Sequence, residues 1–142
     1  MSSRDAESAR QIIEEQRFMS LATADADGAP WASPVWYAPA GPSELLWVSR
    51  PEARHSRNLA VRPELGIVIF DSRQTPGEVE AVYMEGRAQQ TDPERIAIFS
   101  ERSVAQGMKE WRVVPDHLRL YSAVISQHWV LSTRDERIPV SP

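Results

Sequence analysis

The sequence has no cysteine. Disulfides, thiolate metal centres, iron–sulfur clusters and cysteine nucleophiles are thereby excluded, and the composition suits a reducing cytoplasm. No apolar run approaches the roughly 20 residues that a membrane-spanning helix needs. Residues 1–15 are charged and helical in pattern, without the apolar stretch of a secretion signal, so a cytoplasmic protein is expected. Histidine is scarce. His55, His117 and His128 share no metal-ligand spacing and no carboxylate cluster accompanies them, so no metal site is expected. Glycine is low, six residues against eleven prolines, which points to firmly shaped turns. There is no glycine-rich phosphate loop of Walker or dinucleotide type and no nucleophile elbow around any serine. Carboxylates at Asp25, Asp27, Glu78, Glu80 and Glu85 read as solvated turn and strand positions, so no catalytic acid or base is named. Basic residues are the minority, 16 Lys+Arg against 20 Asp+Glu for a formal charge of −4. A general nucleic-acid or anionic-membrane surface is not expected at that balance.

What is present describes one ordinary domain spanning residues 1–142, with 42% hydrophobic and 25% charged residues. The spacing predicts a helix over 4–17, with Ala6, Ala9 and Ile13 on one face. Strands are expected over 18–24 and 31–38, joined by the Asp25-Ala26-Asp27-Gly28 turn into a hairpin, with Pro34 forcing a bulge or an edge. A third strand covers 45–48. Ser49-Arg50-Pro51-Glu52 has capping-box spacing and opens a helix that Pro63 ends. Residues 65–70 read as a strand without alternation, hence covered on both sides. A long strand follows over 79–90 with a bend at Gly86. Thr91-Asp92-Pro93-Glu94 opens a helix to about residue 101, and 103–110 adds a helical turn. Strands over 118–126 and 128–131 close the chain, leaving 134–142 as a loose tail. Six or seven strands with few short helices exclude a doubly wound sheet. They fit a mainly β, closed and mostly antiparallel barrel with helices over its openings. A small barrel fills its own interior, so a sizeable ligand has to bind outside, between two copies of the chain.

Two features bear on function. Five tryptophans are many for this length, Trp31, Trp36, Trp47, Trp111 and Trp129; they line a flat ligand or fill a small core. The segment 49–59 (SRPEARHSRNL) is the densest polar constellation. It follows a strand and opens a helix, where unpaired N–H groups and the positive end of the helix dipole seat an anion. Arg50, Arg54 and Arg57 fall at i, i+4 and i+7, on one helical face suited to phosphate oxygens. Spacing alone equally describes a solvated basic helix, and Glu52 opposes an anion unless it folds back onto the cap.

Residues 18–23 (FMSLAT) with 28–37 (GAPWASPVWY) resemble the opening hairpin of the pyridoxamine 5′-phosphate oxidase-like, FMN-binding split-barrel family. Residues 45–49 (LLWVS), 54–59 (RHSRNL), 62–63 (RP) and 66–69 (GIVI) resemble its third strand, covering helix and fourth strand. Residues 82–88 (VYMEGRA), 111–115 (WRVVP) and 118–121 (LRLY) are similar to its fifth strand and its late proline-led strand. The resemblance spans about 8–132, and its order and spacing carry more than any piece does.

The resemblance implies a mainly β, six- to seven-stranded antiparallel split barrel, forming a homodimer with two flavin sites at its interface and a small-molecule substrate, the flavin carrying hydride or electrons. It places the FMN phosphate against Ser49, Arg54, His55, Arg57 and Asn58. The ring lies along Pro34, Val35, Trp36, Trp47 and Val48, covered by Trp111 or Trp129 of the partner chain. The departures argue against vitamin B6 oxidation. His55 stands where such oxidases carry lysine, their R-x-V-L-L-K strand reads WASPVW at 31–36, and the terminal arginine–histidine motif has no match. Members of the superfamily that use a deazaflavin coenzyme, bind haem or serve as non-catalytic binding modules are the alternatives.

Overall fold

The computed structural model describes residues 3–77, 79–131 and 134–142; Glu78, one of the carboxylates singled out above, lies outside them. Helix α1 (Ser3–Glu15) leads into the hairpin β1 (Phe18–Ala24) and β2 (Pro30–Trp36), followed by the two-residue β3 (Ala38–Pro39) and β4 (Glu44–Ser49). Next come α2 (Arg54–Val61), β5 (Glu64–Phe70), β6 (Ala81–Gln90), a 3₁₀ turn (Pro93–Arg95) and α3 (Ile96–Ala105). The long β7 (Arg119–Leu131) and β8 (Arg137–Val140) close the chain.

Among the described residues, all eight strands form one sheet in the order β2-β1-β5-β6-β7-β4-β3, with β8 beside β7, and every pairing is antiparallel. The sheet curls into a half-barrel covered by three helices. Its hairpin turn forms as the residues dictate: the Asp25 carboxylate accepts from the Asp27 and Ala29 amides, both at 2.9 Å, and Gly28 takes φ +86°. Residues alternate across each strand. Met19 and Leu21 of β1, Leu65, Ile67 and Ile69 of β5, and Val82 and Met84 of β6 point into the concave side and make the main core. Trp47 completes it, fully buried and stacked on Tyr121 at 5.6 Å between ring centres. β4 is buried on its other face too, because Leu46 joins Phe99 and Leu120 in a second cluster under α3.

The register shifts at Glu85/Gly86, where the expected bend lies. Glu85 faces Gln127 and Gly86 faces Ile125, so Ser126 is the bulged residue, its hydroxyl donating to the Glu85 carbonyl at 3.1 Å. Gly86 allows this approach, since a Cβ there would collide with the Val124 carbonyl oxygen. The helices are pinned by polar contacts. Tyr37 Oη donates to the Ile13 carbonyl at 2.6 Å, and Arg102 of α3 donates to the Glu14 and Gln16 carbonyls at 2.9 and 3.1 Å, capping the C-terminal end of α1.

Four expectations are corrected. Ser49 does not cap α2; it ends β4, and turn residues 51–53 carry the chain round before the helix starts, with Ala53 at its N-cap and no side-chain cap. β5 alternates, with one face in the core and the other half open, because a half-barrel covers only its concave side. The last two strands are one, β7, which the bulge at Ser126 bends without breaking. The tail is not loose: β8 pairs with β7 and Val140 is buried, since β4 leaves that end of β7 unpaired and open to a new strand. At the second capping box, Asp92 is the residue that accepts from the Glu94 amide, at 2.9 Å, opening the 3₁₀ turn ahead of α3.

Candidate functional site

A cleft of about 510 Å³ opens where β2 and β4 meet α3 and the loop after it. Pro34, Val35 and Trp36 of β2, Val48 and Ser49 of β4, His55 of α2 and Trp111 line it, as do Phe18, Phe99, Lys109 and Leu118. Its volume and apolar lining are those of a cofactor-sized pocket. The wall is aromatic. Phe99 meets Trp36 edge to face at 4.8 Å and Trp111 at 5.4 Å. Trp36 Nε1 donates to Gln106 at 2.8 Å, and the Lys109 ammonium lies 4.0 Å over the Trp111 ring. The loop carrying Trp111 is held to α3 by the Trp111 amide donating to Ser100 Oγ and by Ser103 Oγ donating to the Lys109 carbonyl, both at 2.7 Å.

The polar end is built on His55. Its Nε2 lies 2.9 Å from Ser49 Oγ and its Nδ1 3.1 Å from Ser33 Oγ. Burial pulls its pKa below the ordinary 6.5, so the ring is neutral near neutral pH, one nitrogen donating and the other accepting. The serine that accepts from the ring keeps its own O–H free to donate to an anion. Around it, the start of α2 has no side-chain cap and leaves its first N–H groups open. Arg57 is exposed and, among the described residues, its guanidinium makes no ion pair or hydrogen bond. Ser56 Oγ is buried and, among the described residues, has no partner.

The structure brings Pro34, Val35, Trp36, Val48, Ser49, His55 and Trp111 together in one cleft. Others stand elsewhere. Trp47 lies one residue from Val48, and strand alternation turns its side chain into the core. Asn58 is buried and donates to Thr23 Oγ1 at 3.0 Å, fixing α2 onto β1. Arg54 lies 4.3 Å over the Trp31 ring. Trp129 lines a separate hollow of about 560 Å³ on the convex side of the sheet, with Ser20, Ala22, Gly66, Val68 and Tyr83. The expected single face of Arg50, Arg54 and Arg57 is not formed, because α2 starts only at Arg54; Arg50 instead sits 3.7 Å from Glu52. Phe99, Ser103, Met108 and Lys109 line the cleft unforeseen. The expected extra helical turn over 103–110 concealed Met108 and Lys109: α3 ends at Ala105 and Gly107, at φ +78°, redirects the chain so that its loop folds back beside Trp36.

A family model described as pyridoxamine 5′-phosphate oxidase matches residues 6–126. Among solved structures, the chain is similar to a heme binding protein from Mycobacterium smegmatis (22% identity, 96% of this chain and 57% of that one, TM-score 0.77). It is similar to a FAD-binding protein from Mesorhizobium loti (18% identity, 92% and 94%, TM-score 0.69) and to an F420 reductase (16% identity, 88% and 96%, TM-score 0.66). No curated protein matches it significantly.

Proposed function

The chain belongs to the pyridoxamine 5′-phosphate oxidase family, and on that premise we propose that it is an FMN-binding flavoprotein. In this reading it is a homodimer with the cofactor at its interface and an oxidoreductase for a small molecule. One observation carries the reading: the aromatic cleft ends at His55, bridged between Ser33 and Ser49 beside the uncapped start of α2. A planar apolar ring matches the Trp36, Pro34 and Trp111 walls. A phosphate matches the free serine hydroxyl, the open N–H groups and the unpaired Arg57.

Bound flavin would supply the redox chemistry; the chain's residues bind, orient and exclude water. Trp36 and Trp111 shield the ring's faces, and neutral His55 orders the serine hydroxyl toward the phosphate without adding a positive charge. A ring nitrogen engaged by serine on each side leaves His55 no free ligand position for haem iron, which favours flavin over haem in this cleft. The longer anionic tail of a deazaflavin coenzyme asks for more cations, while Arg50 and Arg73 are held by Glu52 and Asp71. The half-open convex hollow between Ala22, Gly66 and Val68 is the surface a second copy would cover.

The test is the absorption spectrum of freshly purified protein, followed by fluorescence titration with FMN, a deazaflavin coenzyme and haem. An FMN spectrum, or FMN binding tighter than the other two, is expected. A colourless protein that leaves FMN fluorescence unquenched overturns the reading.

A further inference from the structure

A second cavity, of about 510 Å³, lies at the far end of the barrel between α1 and the strands. Its floor is apolar, with Leu45, Met84 and Ile125. His128 stands among them on β7, directly across the ladder from Met84 on one side and Val140 on the other. It is 5% exposed, and among the described residues its ring nitrogens have no hydrogen-bond partner. The ring nitrogens are open to the cavity rather than sealed in the core, so a ligand's polar atom that enters it can meet them. Desolvation pulls its pKa down, so it meets that atom as a neutral ring.

The rim supplies the charge. Arg10 and Glu14 of α1 are the charged side chains that line this cavity. Glu14 is ion-paired with Arg102 at 3.0 Å. Arg10 is exposed and makes no ion pair or hydrogen bond among the described residues. The net offer is an apolar chamber with one neutral hydrogen-bonding ring inside and one unneutralised guanidinium at its mouth. We propose that this cavity is a second small-molecule site, separate from the aromatic cleft, for an apolar monocarboxylate. The hydrocarbon body packs on Leu45, Met84 and Ile125, and the carboxylate lies between His128 and Arg10. Guanidinium recognition of carboxylate and burial of an apolar tail are the two forces involved.

The test uses the full chain and octanoate as probe, with octan-1-ol as its uncharged counterpart. Calorimetry should find octanoate bound at least about tenfold more tightly than octan-1-ol, and octanoate should shift the imidazole resonances of His128 but not those of His55. Arg10→Gln, on an exposed helical position, should remove the preference for octanoate while leaving octan-1-ol binding in place. His128→Phe should weaken octanoate, with far-UV circular dichroism confirming the fold. Should His128→Phe fail to fold, the wild-type resonances and Arg10→Gln still decide. No octanoate binding, resonances of His128 that stay put, or a preference that survives Arg10→Gln would each overturn the proposal.

Discussion

At the scale of single residues, chemistry and geometry separate the polar groups of segment 49–59 into those that build and those that are free to bind. Asn58, Ser49 and His55 are engaged within the fold, while Arg57 is not. A free guanidinium that makes a charged hydrogen bond to phosphate contributes about 1.5–3 kcal/mol. Arg57→Ala is therefore expected to weaken FMN binding by that amount with thermal stability unchanged, and fluorescence titration beside a melting curve reads both. Unaltered affinity would take Arg57 out of the site. Trp47 makes the complementary point. Its indole N–H is buried and has no partner among the described residues, yet the residue stays in the core because its stacking on Tyr121 and its buried area outweigh one unmet donor.

At the scale of elements, two histidines tie stability to pH. His55 on α2 and His128 on β7 are both neutral and buried, with pKa values pulled below 6.5 by desolvation. The unfolded chain takes up these protons near 6.5, whereas the folded chain does so only at lower pH. Stability therefore declines as pH falls below 6.5, and the decline ends once the folded-state pKa values are passed. Glu44 adds a separate, more acidic step. The hydrogen bond from Arg95 holds its carboxyl below the ordinary 4.5, opposed in part by desolvation, so its contribution is present above 4.5 and lost as pH drops through the folded value. A thermal midpoint that is level above neutral pH and falls in two acidic stages is expected. His55→Asn should reduce the first stage and leave the second; a first stage unchanged by that substitution would show that the buried ring is not its source.

At the scale of the whole molecule, the convex side of the sheet is the unfinished surface. Ala22, Gly66 and Val68 form a shallow, small-residue hollow bordered by Tyr83 and Trp129. If a second copy covers it, Val68→Glu buries a charge in the interface and should leave a monomer in sedimentation velocity where the unmodified chain is a dimer. The same variant should bind FMN more weakly, because in the proposed homodimer the cofactor lies at the interface. An unmodified chain that sediments as a monomer at micromolar concentration would refute the interface. The second cavity should keep its octanoate affinity in Val68→Glu, since α1 and His128 lie on the concave side.

Much of this was legible in the residues themselves. Alternation, the Asp25–Gly28 turn, the Gly86 bend and Pro63 as a helix stop are local events, decided by side-chain period and backbone freedom, and they led to a mostly antiparallel barrel. The order of short motifs was likewise enough to point to the family. Three-dimensional placement was decided elsewhere. Which side of β4 faced the core separated Trp47 from Val48, and the length of the turn before α2 parted Arg50 from Arg57. The fold-back of the chain after Gly107 brought Lys109 and Trp111 to Trp36. Each of these depends on packing between segments far apart in sequence, where a one-residue difference in phase turns a side chain to the opposite face. No local pattern carries that information.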